Sequence, residues 1–77
     1  SVFYAATVVN RILETSRSLN QFPQLGRIVP ELGQKDIRER FVYSYRLVYR
    51  IVQDSITIVA VIHGKRLFDA VADRLEK

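Results

Sequence analysis

The chain has 77 residues, 48% hydrophobic and 26% charged, which fits one small domain around a single core. With no cysteine and one histidine it excludes a disulfide framework and a thiolate or multi-histidine zinc site, so a cytoplasmic protein without metal or cofactor is expected. A net charge of +4, with nine arginines to three lysines, points to an anionic partner, and Asp54 and Ser55 break the most apolar region well short of a membrane span, so no membrane partner is expected.

Ala5, Val9, Ile12, Leu13, Ser16 and Leu19 recur at spacings of three and four, with Arg11, Glu14 and Arg17 opposite, which predicts an amphipathic helix over about residues 3–21. Pro23 bars its continuation, and Phe22-Pro23-Gln24-Leu25-Gly26 opens an irregular segment that Pro30 and Gly33 extend to about Gln34. Three antiparallel strands are expected next, over about residues 36–43, 45–52 and 56–63. The period then returns to helical at Phe68, Val71, Ala72 and Leu75, for a short helix over about residues 67–76. The predicted class is α+β, an N-terminal helix on a three-stranded antiparallel sheet with a short C-terminal helix, all in one domain over residues 1–77.

Alternation in the second strand places Tyr45, Leu47, Tyr49 and Ile51 against the helix and Arg46, Val48, Arg50 and Val52 on the other face. A two-residue turn at Asp54-Ser55 would set Arg50 opposite Val59, Val48 opposite Val61 and Arg46 opposite His63. A three-residue turn would dissolve that pairing. In the two-residue register the ending Val61-Ile62-His63-Gly64-Lys65-Arg66 delivers His63, Lys65 and Arg66 beside Arg46, with Arg50 further along, into a solvent-facing basic concavity. Gly64 would let the backbone turn away from the sheet. Exposed arginines on a strand are more often solvated surface than a site, and the tyrosines are more often packing than platforms for bases.

Three segments together resemble the ParE/RelE superfamily of bacterial type II toxins. Leu19-Asn20-Gln21-Phe22-Pro23-Gln24-Leu25-Gly26-Arg27, running on to Val29-Pro30-Glu31, resembles the ParE pattern L-x-x-F-P-x-x-G-R followed by V-P-E. Tyr45-Arg46-Leu47-Val48-Tyr49 is similar to the family's Y-R-[ILV]-V-Y strand, and His63-Gly64-Lys65-Arg66 to its H-G-x-R ending, with Arg38-Glu39 at the usual position between them. On this resemblance the family's first strand and first helix are missing, so the helix and one sheet edge are expected to be uncovered and to invite self-association, unless the chain is a truncated product.

The resemblance implies two branches. The ParE-like one, preferred here, is a binding protein that poisons DNA gyrase, with Arg38, Arg46, Arg50, Lys65 and Arg66 as candidate contacts to target or nucleic acid. The RelE-like one is a metal-independent endoribonuclease acting on mRNA at the ribosome, for which Arg46, His63 and Arg66 would be catalytic, two arginines holding phosphate charge and the histidine moving a proton. The lysines of RelE-like enzymes are absent from Ile37-Arg38-Glu39-Arg40, and no tyrosine follows Arg66. Either branch implies an acidic antitoxin that folds onto the toxin; loss of the missing segments would leave an inactive remnant that only binds antitoxin.

Overall fold

A computed structural model describes residues 1–64, so Lys65, Arg66 and the helix expected over residues 67–76 lie outside the described residues. Helix α1 spans Val2–Gln21. The Ser1 hydroxyl caps it by accepting from the Tyr4 N–H at 3.2 Å, and Pro23 ends it because proline has no N–H for the Leu19 carbonyl. The face it buries is rotated from the expected one. Val8 and Leu19 are buried and Ile12, Thr15 and Ser16 half-buried, whereas Val9 and Leu13 are exposed.

A turn of 3-10 helix over Pro23–Leu25 leads into four strands: β1 Arg27–Ile28, β2 Ile37–Val42, β3 Tyr45–Val52 and β4 Ser55–His63. They form one antiparallel sheet in the order β1-β2-β3-β4, one strand more than expected. The added strand is two residues long, pairing Arg27 with Glu39 and Ile28 with Arg38, too short to leave a periodic signal in the sequence.

Both hairpins turn on two residues, Tyr43-Ser44 and Gln53-Asp54, and Tyr43 and Gln53 take positive φ of 54° and 56°. Left-handed residues in two-residue hairpins match the right-handed twist of the strands. The second turn is one residue earlier than expected, and a bulge at Val59 shifts the register again. Arg46 therefore stands opposite Ile62 rather than His63, Val48 opposite Ala60 rather than Val61, and Arg50 opposite Thr57 rather than Val59. Gly64, at φ 64°, leaves the sheet by the predicted turn, and its N–H bonds the Ser44 carbonyl at 2.7 Å.

The sheet is buried on both faces. On the helix side Leu19 packs with Val42, Leu47 and Tyr49, joined by Ile12, Ile51 and Ile56, as the alternation required. On the other side lies a second cluster, Val29, Ile37, Val48 and Ile62, with Leu32, Val59 and Ala60 around it. The cover there is the β1–β2 connection, folded back by bonds from the Leu32 and Gly33 N–H groups to the Val29 carbonyl. An open face and a single core were expected; the sheet separates two cores, and a loop closes the second.

Candidate functional site

Arg46 is at the centre of the loop-covered face and is 2% exposed. Its Nε donates to Glu39 Oε1 at 3.0 Å, its Nη2 also donates to that oxygen, and Nη1 and Nη2 reach the two Glu31 oxygens at 3.0 and 3.2 Å. Glu39 is buried as well, and its other oxygen accepts from Arg27 Nε at 2.6 Å. Arg27 lies with its guanidinium carbon 5.5 Å from the centre of the Phe41 ring. Two cations and two carboxylates thus alternate as Arg27–Glu39–Arg46–Glu31, the middle pair buried and both ends reaching the surface. Among the described residues no buried side-chain polar atom lacks a partner.

Burial opposes the Arg46 charge, but the bonds to Glu31 and Glu39 outweigh it and leave its pKa above the ordinary value. The same contact to Arg46 holds the Glu31 carboxyl below its usual range. A guanidinium enclosed in this way fastens the β1–β2 connection to the sheet. It is not an open cation awaiting a phosphate, and the expected solvent-facing concavity at Arg46 is corrected accordingly.

The helix exit is built on the opposite face around Tyr49. Its hydroxyl donates to the Pro23 carbonyl at 2.6 Å and accepts from the Gly26 N–H at 2.9 Å, and burial pushes the phenol's pKa up. Gly26 is required by space. A Cβ there would stand 2.5 Å from the Tyr49 oxygen and 2.7 Å from the Glu39 carbonyl. Arg38 Nη1 and Arg40 Nη1 bond the Gly26 and Leu25 carbonyls at 3.0 and 3.1 Å and complete the clasp. The segments Phe22-Pro23-Gln24-Leu25-Gly26-Arg27, Val29-Pro30-Glu31, Arg38-Glu39 and Tyr45-Arg46-Leu47-Val48-Tyr49 are therefore parts of one joint.

The other candidates among the described residues, His63, Arg50 and Arg38, are dispersed. His63 pairs with Tyr45, their ring centres 5.1 Å apart, and cross-strand partners share a face, so it is on the helix side while Arg46 is on the loop side. The expected meeting of Arg46 and His63 does not occur. Arg50 is half-buried and pairs with Asp36 at 3.6 Å. Arg38 is occupied by the Lys35 and Gly26 carbonyls. Sequence reasoning missed Glu39 and Glu31 as partners of Arg46. The signal was parity, since Glu39 shares its strand face with Ile37, and a carboxylate beside a core residue needs a cation.

The family described as the ParE toxin of type II toxin–antitoxin systems, parDE, matches residues 2–68. Searches of curated proteins and of solved structures each give no match. The matched span contains both the clasp around Tyr49 and the Arg46 network, and the chain belongs to the ParE family of type II toxins.

Proposed function

We propose that this toxin acts by binding, inhibiting DNA gyrase as the ParE branch does, and that an acidic antitoxin neutralises it. The observation that carries the preference over RNA cleavage is the state of Arg46. A ribonuclease of the RelE kind needs a cation able to approach the phosphorane, and here that arginine is enclosed between Glu39 and Glu31 with His63 on the far face. The net charge of +4 suits an acidic antitoxin. Incubation with gyrase and supercoiled plasmid should accumulate cleaved DNA, while mRNA on programmed ribosomes stays intact. Cleaved mRNA, lost on Arg46→Ala in a variant that remains folded, would instead establish the enzymatic reading. Inertness in both assays, with antitoxin still bound, would identify a binding remnant.

Self-association is part of the same proposal. Among the described residues β4 is an edge strand with Ile58 and Val61 exposed, and Val9 and Leu13 of α1 are exposed too. Light scattering should find dimers at tens of micromolar; a stable monomer there would reject this part alone.

A further inference from the structure

Helix α1 has two unlike flanks. The one toward β4 sets Ser16, Arg17 and Asn20 against Ile56 and Ile58. The other faces the β2–β3 turn and is polar and basic, forming a continuous groove from two concavities. One, about 300 Å³, is lined by Arg11, Thr15, Arg40, Phe41, Val42 and Tyr43; the other, about 260 Å³, by Thr7, Asn10, Arg11, Glu14 and Tyr43. Arg11 and Tyr43 belong to both. Among the described residues the only carboxylate in the lining is Glu14, 4.0 Å from Arg11 in a solvent-exposed pair. Arg40 is anchored through Nη1 on the Leu25 carbonyl at 3.1 Å while lining the first concavity.

Tyr43 is the second observation. It holds φ 54°, a region that costs a bulky side chain free energy, and it is 51% exposed. Its ring neighbour is Tyr4, itself 55% exposed, with centres 6.4 Å apart. Glycine or asparagine would make this turn at less cost and the core would lose nothing. A strained, accessible aromatic beside two arginines has the composition of a surface that stacks a base and holds the adjoining phosphate.

We propose that this groove binds a nucleic-acid strand, Arg11 and Arg40 taking a backbone phosphate and Tyr43 presenting its ring to an unstacked base. An acidic peptide suits it less well. A segment that folds on binding needs apolar burial, and the Thr7, Asn10 and Thr15 wall is polar. The site is separate from the buried Arg46 network and does not depend on which target the toxin inhibits.

The test is fluorescence anisotropy of the full chain with a labelled 12-nucleotide single strand and the matching duplex, at 50 and 200 mM salt. Single-strand binding should weaken with salt, and Arg11→Ala/Arg40→Ala should lower affinity by about tenfold and flatten the salt dependence. Tyr43→Gly should lower affinity by about tenfold while leaving thermal stability equal or higher, which a purely structural tyrosine would not do. The proposal fails if the strand does not bind at 50 mM salt. It also fails if the folded double-arginine variant binds as tightly as the parent, or if a poly-glutamate peptide competes as well as the oligonucleotide. Equal affinity for the duplex would overturn the role given to Tyr43.

Discussion

The two faces of the sheet are closed in different ways. The helix side is sealed by regular structure, Leu19 of α1 lying on Val42, Leu47 and Tyr49. The other side is sealed by an irregular connection that has few apolar residues of its own and is held by Glu31 on Arg46 as well as by Val29 and Leu32. A helix brings its own satisfied backbone to a core, whereas a loop must be fixed point by point. Arginines on the loop side are therefore structural where alternation alone would assign them to the surface.

The largest loss of stability is expected for Arg46→Ala. Were the loop side an open surface, the change would be nearly neutral; with Glu39 left buried and uncompensated it should cost about 3–5 kcal/mol, read by urea unfolding. Arg46→Met combined with Glu39→Leu should recover much of that loss, since apolar groups can replace a buried pair. On the helix side Leu47→Ala should cost about 2–5 kcal/mol with no such electrostatic rescue.

Tyr49→Phe removes the two bonds of the phenol and should cost about 1–3 kcal/mol. Gly26→Ala should also destabilise, and adding Tyr49→Phe should relieve it only in part, because the Glu39 carbonyl still obstructs the new methyl. The smallest effect is expected for Glu31→Gln, under about 1 kcal/mol at neutral pH, since this carboxylate is half exposed. Its folded pKa is depressed, so its contribution is present above the ordinary carboxylate value and is lost as pH falls through the folded value. The Gln variant should show a flatter stability profile below about pH 4 in acid titration followed by circular dichroism.

Helix α1 and the meander were legible because long periodic segments constrain their own conformation: the predicted β3 coincides with Tyr45–Val52, and of its expected helix-facing residues Leu47, Tyr49 and Ile51 join the core while Tyr45 does not. Register was not legible. Gln53 adopts a left-handed conformation that its residue type does not announce, and the Val59 bulge moves every pair beyond it. The turn displacement keeps Arg46 and His63 on one face, and it is the bulge that puts them on opposite faces. The motif resemblance found the right residues in Gly26, Arg27, Glu31, Glu39, Arg46 and Tyr49 and could not reveal that they bond to one another. Spacing along a chain carries no information about which carboxylate a cation will choose.

The Tyr49 oxygen ties together points 26 and 23 residues earlier in the chain. During synthesis residues 23 and 26 are thus made before their fastener, and their bonds to the phenol cannot form until residue 49 has left the exit tunnel. Until then the backbone groups at Pro23 and Gly26 have no phenol to bond, so closing this clasp is a long-range, late step of folding.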